Sequence, residues 1–389
     1  MNVTQLNVST TTPMPAAWAG LDVAKATFDA GIYFPLEAHE APRALQEIPV
    51  SSFERSPEGV SAFAEWSKKQ MSEFVARHNL DEEPPLSIVM EATGRYSIEL
   101  AAFLAQSSLA VRSCIIDPTG AHDFMKSLRL RNITDSTSAR VLARYGFERK
   151  PDPWEDLPPE YKELRELSRQ RDYIVQMLVG ARNRAEENTT SKVSANLQKQ
   201  IIRNLEKSLE KIEKAITKHI AQHLQLKHDI DLLMTIPGVG IWTSVVVLAE
   251  LGDLRRFTKS RQLGAFAGLS PQQHDSGTSV HEKPRLCKQG SARVRQCLYM
   301  SALSATRQGD AGMGLFYNNL VDRHKPKMVA LGAVMRKQLI LMRSLLIHDT
   351  PYDPNYRRAV GNSAPPLKCD GAVDNSEKKV QKHDKNSLN

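Results

Sequence analysis

The chain has 389 residues, 41% of them hydrophobic, which is enough for two or three domains with their own cores. Lys and Arg total 52 against 44 Asp and Glu, and the net charge of +8 favours a polyanionic partner such as nucleic acid. No C-x-x-C pair and no His at metal-ligand spacing accompany the four cysteines, which excludes a zinc site and a disulfide framework; they are Cys114, Cys287, Cys297 and Cys369.

Residues 1–15 are rich in Thr, Ser and Asn and are predicted to form a flexible tail. They lack the basic start and apolar centre of a signal peptide. No apolar run approaches the roughly 20 residues that cross a bilayer. These features predict a reduced, cytoplasmic protein without a membrane partner.

Residues 16–155 alternate between strand and helix patterns. The segment "AWAGLDVAKATFDAGIYF" predicts a strand hairpin, and "RALQEIPVSSF" supplies a third strand. A helix starts at Ser56, followed by the strand "LSIVMEATG", a helix, the strand "AVRSCIID" and two more helices. This order predicts an α/β domain with a mixed sheet.

The Pro-rich segment "KPDPWEDLPPE" marks a domain boundary, and residues 156–228 follow with helical periodicity. Two apolar stripes predict a long antiparallel helical hairpin, or coiled coil, that reverses near "EENTTSK". The outer faces carry many Lys and Arg residues, which we interpret as ordinary solvated charge. The stripes are Leu164, Leu167, Ile174, Leu178, Ala181 and Ala185, then Leu205, Leu209, Ile212, Ile216 and Ile220.

Residues 229–347 are predicted to form a mostly helical domain, and residues 348–389 a largely disordered tail. The turn "TIPGVG" precedes an apolar helix, as in a helix-hairpin-helix. Gly238 and Gly240 would then let a nucleic-acid phosphate approach the backbone. A plain interhelical turn explains the same residues equally well.

Three carboxylates stand at the ends of predicted strands or at the start of a helix: Asp22, Glu91 and Asp135. Side chains at such positions can converge on one point, where a divalent cation removes their mutual repulsion. Two Mg²⁺ ions held in this way can activate an oxygen nucleophile and stabilise the leaving oxygen in phosphodiester cleavage.

Simpler explanations exist for each of these acids. Asp and Glu often end strands because they prefer solvent, and Asp135 can be a helix N-cap residue. Asp29, Asp117 and Asp123 are competitors that spacing does not exclude, and Asp117 before Pro118 fits a turn or cap.

Ser276 lies in a small-residue segment that leads into a basic run. An isolated Ser-Gly pair usually marks a turn on the surface. A serine among cations can also attack a phosphodiester if the phosphate is neutralised and the hydroxyl loses its proton. The cations that follow Ser276 are candidates to bind the nucleic-acid backbone: Lys283, Arg285, Lys288, Arg293 and Arg295.

Several of these segments resemble the insertion sequence 110 family of transposases. "GLDVAK", "VMEATGRY" and "TDSTSARVLARYG" are similar to its N-terminal nuclease-like domain. "IPGVGIWTSVVVLAELGDLRRFTKSRQLGAFAGLSPQQHDSG" is similar to its C-terminal transposase domain. The resemblance extends from about Trp18 to Leu346 and is carried by long, ordered blocks.

The resemblance implies a RuvC/RNase H-like fold for residues 16–155, with an acidic D-E-D-D set that binds Mg²⁺ or Mn²⁺. Position by position, the set corresponds to Asp22, Glu91 and Asp135. The fourth position is Ser138 where the family has Asp. A hydroxyl is a poorer ligand for a hard cation than a carboxylate, so Ser138 leaves the fourth ligand in question.

The resemblance also implies that Ser276 is the nucleophile that becomes linked to a DNA 5′ phosphate. It implies guidance by a structured bridge RNA that pairs with donor and target DNA, so that base pairing reads the sequence. Homodimers that pair into tetramers are implied as well, with one subunit's acids completing the site around another's serine. Such an enzyme would act in the bacterial cytoplasm, at the nucleoid.

Three other functions remain open. A RuvC-like junction nuclease keeps the acids but makes Ser276 a turn residue. A non-catalytic RNA- and DNA-binding relative fits the change at Ser138. A sugar-kinase-like ATPase shares the "GLDVAK" turn, but the N-terminal half has no further Gly-rich phosphate loop.

Overall fold

The structure is a computed structural model, and it describes residues 16–35, 44–109, 111–130, 133–187, 191–272, 275–276, 280–281, 285–307 and 312–353. The chain forms two compact units, residues 1–156 and 157–389. The predicted tails 1–15 and, beyond residue 353, the C-terminal tail lie outside the described residues.

The N-terminal unit contains five strands and four α-helices among its described residues, in the order that the sequence predicts. A short 3-10 helix, Leu45–Glu47, precedes the third strand. The elements are β1 (Ala17–Val23), β2 (Thr27–Tyr33), β3 (Val50–Glu54), α1 (Pro57–His78), β4 (Leu86–Glu91), α2 (Arg95–Gln106), β5 (Arg112–Ile116), α3 (Pro118–Ser127) and α4 (Asp135–Arg149).

The five strands form one mixed sheet in the order β3-β2-β1-β4-β5. The predicted hairpin is confirmed, since β1 pairs with β2 antiparallel, and β2 pairs with β3 antiparallel. The β1–β4 and β4–β5 pairs are parallel. The carboxyl ends of β1 and β4 therefore lie at the same edge of the sheet, next to each other.

The two faces of the sheet carry different helices. Odd positions of β1, such as Leu21, pack with Phe63 of α1 and Leu100 of α2 in one buried cluster. Even positions of β1 point to the opposite face, because strand side chains alternate. There Trp18 packs with Val89 of β4 and Leu142 of α4. The sheet is thus buried on both faces, with α4 across its centre.

Glycines let α4 lie unusually close to the sheet. A Cβ on Gly20 would stand 2.1 Å from the Ala143 amide nitrogen and 2.3 Å from the Ala139 carbonyl oxygen. Gly31 of β2 faces Ala139 as well, at 3.2 Å. Toward the end of α4, Gly146 lies against the Trp18 ring. These contacts show that α4 runs antiparallel to β1.

The C-terminal unit is mostly helical, as predicted. The long helices α5 (Pro159–Glu186) and α6 (Lys192–Gln222) come first, and the α6 N-cap is Ser191. The remaining elements are α7 (Leu224–Met234), α8 (Ile241–Leu251), α9 (Ser260–Phe266), the two-residue strands β6 (Pro271–Gln272), β7 (Asp275–Ser276), β8 (Val280–His281) and β9 (Arg285–Leu286), then α10 (Ala292–Thr306), α11 (Gly312–Asp322) and α12 (Lys327–His348).

Helices α5 and α6 contact each other along their length. Arg171 pairs with Glu213 at 2.8 Å, and Arg182 pairs with Glu206 at 2.8 Å. Near the C-terminus of α5 and the N-terminus of α6, the Gln198 side chain donates to the Ala181 carbonyl oxygen. Residues later in α5 therefore contact residues earlier in α6, as in an antiparallel pair of helices.

The predicted apolar stripes are buried toward the C-terminal core and exposed toward the far end. Leu164, Leu178 and Ile216 are buried, whereas Ala185 is exposed. The second helix also ends earlier than the predicted boundary at residue 228. Its C-cap is His223, and α7 begins directly afterwards at Leu224.

Candidate functional site

Helix α4 brings two predicted site residues to the end of β1. Gly20 lies against Ala139 and Ala143, and α4 runs antiparallel to β1. The next residue of β1 on that face is Asp22, and the preceding turn of α4 carries Asp135 and Ser138. The antiparallel packing therefore sets the start of α4 beside Asp22, and the close glycine contact fixes that position.

Asp22 is a perturbed carboxyl group. Burial, followed by the Asp135 carboxylate, raises its pKa from 3.8 to about 6. The Ser138 hydroxyl interacts with it and lowers the pKa, while Glu91 and Asp29 add smaller increases. Five predicted or competing site residues from β1, β2, β4 and α4 thus share one electrostatic environment.

Asp29 lies directly opposite Asp22 across the β1–β2 pair. Both side chains lie on the face that α4 covers, since Asp29 alternates with Gly31 and Asp22 with Gly20. The sequence left Asp29 as a competitor. The strand register makes it an immediate neighbour of the acidic group, although its role in chemistry remains a prediction.

Glu91 ends β4 on the same face, two residues after Val89. Its pKa is raised by burial, lowered by His122 and raised by Asp117. Both influences come from the chain after β5, because Ile116 pairs with Glu91: Asp117 is the N-cap of α3, and His122 lies in α3. His122 was not anticipated from the sequence. Its position in the first turns of a helix that follows the neighbouring strand is the signal that could have found it.

The donor chemistry of this acidic group suits a hard divalent cation, because carboxylate oxygens are the ligands that Mg²⁺ and Mn²⁺ prefer. The raised pKa of Asp22 also shows repulsion that a cation would relieve. However, no three Asp, Glu, His or Cys side chains among the described residues lie close enough together to hold a metal ion. The residues fit a cation in chemistry and charge, and the carboxylates would have to move closer together to bind it.

Helix α4 begins one residue earlier than it would if Asp135 were its N-cap residue. The N-cap is Thr134, whose side chain accepts from the Thr137 backbone N–H at 3.3 Å. Asp135 is therefore not the capping residue, and its side chain is exposed at the first helical position. A carboxylate in the first turn is also favoured by the helix dipole. Ser138 is half-buried one turn later.

Ser276 belongs to a short antiparallel strand pair in the C-terminal unit. It pairs with Val280, and Asp275 pairs with His281. A second pair precedes and follows it in sequence, with Pro271 opposite Leu286 and Gln272 opposite Arg285. In chain order, the β7–β8 pair with Ser276 therefore lies between β6 and β9. Gly277 and Lys283 lie outside the described residues.

The basic residues that the sequence singled out have different surroundings. Arg285 and Lys288 are exposed close to the strand pair. Lys288 adopts a positive φ of 55°. The Arg295 guanidinium donates to the carbonyl oxygens of Ala267 at 3.2 Å and Gly290 at 3.0 Å. Arg285 and Lys288 are therefore the members best placed to meet a phosphate.

Arg293 is engaged inside the C-terminal unit. Its guanidinium donates to Asp172 at 2.6 Å and to the Ser168 hydroxyl at 3.0 Å, both on α5, and it forms an ion pair with Glu250 of α8. These contacts occupy its donors and join three helices. We therefore correct the expectation for Arg293 and treat it as a structural cation. Its partners lie far away in sequence, which is why the basic run suggested a different role.

The first glycine of the "TIPGVG" turn packs against another helix of the protein. Gly238 has a φ of 81°, and a Cβ there would stand 2.4 Å from the Ser301 carbonyl oxygen of α10. Gly240 is the N-cap of α8, with no heavy atom within 4 Å of its Cβ position. Gly238 is thus explained by packing against α10. Gly240 remains a candidate for phosphate contact.

Comparison with known proteins is consistent with this arrangement. Residues 19–191 match the family model "Transposase" of the DEDD type of IS110, and residues 230–318 match the model "Transposase IS116/IS110/IS902 family". The first match contains the acidic group and the second contains Ser276. No helix of the described residues is long and apolar enough to cross a membrane.

Two similar proteins match this chain over most of its length, and a third matches a shorter segment. The chain is 28% identical to the pilin gene-inverting protein of Moraxella bovis over 340 residues, which are 87% of this chain and 98% of the relative. It is 27% identical to the pilin gene-inverting protein of Moraxella lacunata over the same length and coverage. It is also 38% identical over 81 residues to the transposase for insertion sequence element IS1111A of Coxiella burnetii, 21% of this chain and 22% of the relative.

Proposed function

The chain belongs to the IS110 family of transposases, which cleave and rejoin DNA, and from that premise we propose that Ser276 is its nucleophile and that Asp22, Glu91 and Asp135 bind the divalent cation. The observation that carries the proposal is the position of α4 on the sheet. Its close packing on Gly20 brings Asp135 to the partly buried Asp22, and the strand register adds Asp29 and Glu91 to the same electrostatic environment.

Each acid has a distinct task in this scheme. Asp22, half-buried and raised in pKa, is the member whose charge most needs a cation. Glu91, at the end of the neighbouring strand β4, and Asp135, at the start of α4, would supply further oxygen donors. When bound, Mg²⁺ or Mn²⁺ would supply charge neutralisation for the phosphodiester and its leaving oxygen. The acids also keep this face of the sheet strongly negative in the absence of the cation.

Ser138 is the departure from the family pattern, and we propose that it supports Asp22 as a hydrogen-bonding partner. Its interaction with Asp22 stabilises the charged carboxylate, as the lowered pKa contribution indicates. Asp29, directly opposite Asp22 in the register, offers a nearby carboxylate that the family set does not count. The negative charge around Asp22 thus remains high despite the serine.

The proposed strand cleavage is a transesterification. The Ser276 oxygen forms a bond to phosphorus, its proton passes to a basic group, and the bond to the 3′ oxygen breaks as that oxygen takes up a proton. The 5′ phosphate stays on the serine, and the reverse step with another 3′ hydroxyl rejoins DNA. Bond energy is thereby conserved, as exchange of strands requires.

We propose that Arg285 and Lys288 bind the DNA backbone beside Ser276, with Lys283, Arg295 and Gly240 as further candidates. Arg285 lies in β9, opposite Gln272, and Lys288 follows two residues after β9; both side chains are exposed. Such contacts position the duplex without reading its sequence. Sequence would be read by a bridge RNA, and the paired helices α5 and α6 would act as a coiled coil in dimers or tetramers.

The relatives named for inverting a pilin gene suggest a specific form of the activity. Inversion exchanges strands between two defined sites on one molecule. The match to these relatives spans 98% of their length, which supports the same kind of exchange for this chain. We propose site-specific exchange, rather than hydrolysis, as its reaction.

A covalent adduct assay tests the proposal. Wild-type protein should leave a protein–DNA adduct at a 5′ end on a denaturing gel in the presence of Mg²⁺, and Ser276→Ala should abolish it. Ser270→Ala is a matched control on the same segment and should retain the adduct. Cleavage without an adduct in the wild type would instead support a metal-dependent junction nuclease.

The non-catalytic alternative is favoured by one observation, the serine at position 138. It predicts nucleic-acid binding without cleavage in the wild type. Restoring the acid with Ser138→Asp distinguishes the two: a cleavage activity that appears only in this variant would assign the wild type to the non-catalytic class.

A further inference from the structure

An exposed aromatic ring stands at the base of the segment that carries Ser276. Phe266, the last residue of α9, leaves 55% of its surface exposed. Its nearest aromatic neighbour is the buried Phe257, at 5.5 Å between ring centroids and 68° between planes. Phe257 therefore supports one edge of the ring and leaves the rest open to solvent.

The surroundings of Phe266 are cationic. The Arg256 guanidinium lies 6.0 Å from the centre of the Phe266 ring and 5.0 Å from that of Phe257. Lys259 and Arg261 are exposed on the same short helix or its cap. An isolated exposed apolar side chain is common on protein surfaces, but one with a guanidinium near its ring and further cations on the same helix matches a nucleic acid, whose bases are flat and whose phosphates are negative.

The backbone under Phe266 is held in an unusual geometry. Its carbonyl oxygen accepts from the Ser291 N–H at 3.0 Å, and a Cβ on Gly290 would stand 2.3 Å from that oxygen. Three positive φ angles meet here, 66° at Gly268, 55° at Lys288 and 125° at Gly290. The Arg295 guanidinium joins both chain segments through two carbonyl oxygens. Such strain persists only where the surrounding structure fixes it.

This rigid junction is the point from which the Ser276 segment leaves and to which it returns. Cys287 donates its N–H to the Ser270 carbonyl oxygen at 2.9 Å, just outside the Pro271–Leu286 pair. Phe266 is thus fixed in place relative to the base of the segment. The exposed Lys288 stands on the same junction.

We infer that Phe266 is a stacking surface for an unpaired DNA base close to the cleaved phosphate, with Arg256 and Lys288 binding the adjoining backbone. Strand exchange requires bases to leave their original partners, and an aromatic face offsets the lost stacking. The inference rests on the proposed function, since the identity of the DNA position depends on Ser276.

The test uses the full chain and a single-stranded oligonucleotide of about 12 nucleotides that contains 2-aminopurine, whose fluorescence falls when it stacks. Wild-type protein should quench the probe. Phe266→Leu, which keeps apolar packing on Phe257 without an aromatic face, should abolish the quenching and weaken single-strand binding about tenfold. Phe266→Trp should restore both. The matched control is Tyr173→Leu, because Tyr173 is 58% exposed on α5, and it should behave as wild type.

Quenching retained in Phe266→Leu would overturn the inference, as would an equal loss of affinity for single-stranded and duplex DNA. Quenching by RNA of the same sequence but not by DNA would overturn it too. Thermal unfolding of each variant shows whether a loss of quenching comes from misfolding. If Phe266→Leu does not fold, the result for Phe266→Trp decides, since loss of quenching in a folded Phe266→Trp would overturn the inference. Adduct formation by Ser276 is a separate readout: its absence with normal quenching refutes the proposed function and leaves the stacking surface in place.

Discussion

Gly20 of β1 lies directly beneath Ala143 of α4, so close that a Cβ on Gly20 would stand 2.1 Å from the Ala143 amide nitrogen. This contact decides where α4 sits, and α4 in turn decides where Asp135 and Ser138 meet Asp22. The acidic group is therefore built by backbone packing more than by the acids themselves, which repel one another.

Gly20→Ala should destabilise the N-terminal unit by about 2 to 4 kcal/mol or prevent its folding, because the clash is with backbone that cannot move aside. Thermal or denaturant unfolding measures the loss. Gly120→Ala in α3 is the control, since its Cβ would meet only the Tyr145 hydroxyl at 3.7 Å. Equal stability of the two variants would contradict the packing argument.

Asp22→Asn should change how stability depends on pH. The pKa of Asp22 is raised from 3.8 to about 6, so between these values the folded protein holds the proton more tightly than the unfolded chain. The free energy of unfolding therefore falls as pH rises through this window. Asn does not titrate, so the free energy of unfolding of Asp22→Asn, relative to that of wild type, should rise as pH increases from the acidic to the neutral end of this window. We expect a rise of about 1 to 3 kcal/mol, after allowing for the partial solvation of Asp22.

Denaturant unfolding at several pH values measures that difference in the absence of divalent cations. Asp81→Asn, an exposed change between α1 and β4, serves as the control and should follow wild type. A difference that does not vary with pH would show that the Asp22 carboxyl is not perturbed by folding.

Arg293→Met should act on stability. It removes the ion pairs to Asp172 and Glu250 and leaves Glu250, whose side chain is only 9% exposed, with one guanidinium partner fewer. We expect the free energy of unfolding of the C-terminal unit to fall by about 2 to 4 kcal/mol.

Lys288→Ala should leave the free energy of unfolding unchanged. It should reduce the salt dependence of DNA affinity by an amount equal to about one phosphate contact. The reverse pattern would restore Arg293 as a DNA-binding residue.

Ser138→Asp should sharpen the response to metal ions. A further carboxylate beside Asp22 and Asp135 increases repulsion, so the variant should be less stable than wild type in a chelator. It should gain more stability from Mn²⁺, because stabilisation follows the affinity of the folded state. Thermal unfolding with and without Mn²⁺ gives both values. Equal stability in the chelator would place position 138 away from the acids.

Much of the N-terminal fold follows from the sequence. The strand hairpin, the helix cap at Ser56 and the order of strands and helices depend on local patterns, and all were predicted. The position of Asp29 opposite Asp22 was not predicted. It depends on the strand register, which the alternation of apolar and polar residues does not fix. His122 approaches Glu91 only through the parallel pairing of β4 with β5.

In the C-terminal unit, the residues that the sequence misread have distant partners. Arg293 meets Asp172, and Gly238 packs on Ser301. Such contacts leave no local signal. The break at His223 was also missed, since apolar spacing continues through both helices. The exposure of Phe266 at the end of α9 likewise has no local sequence signal.

The most direct test of the acidic group is calorimetric titration of Mn²⁺ into the wild type and Asp22→Asn at neutral pH. We expect the wild type to bind the ion and to release the proton from those molecules in which Asp22 is protonated. We expect Asp22→Asn to bind the ion at least about tenfold more weakly. Binding of equal strength in both proteins would contradict it, since Asp22 could then not belong to the cation site.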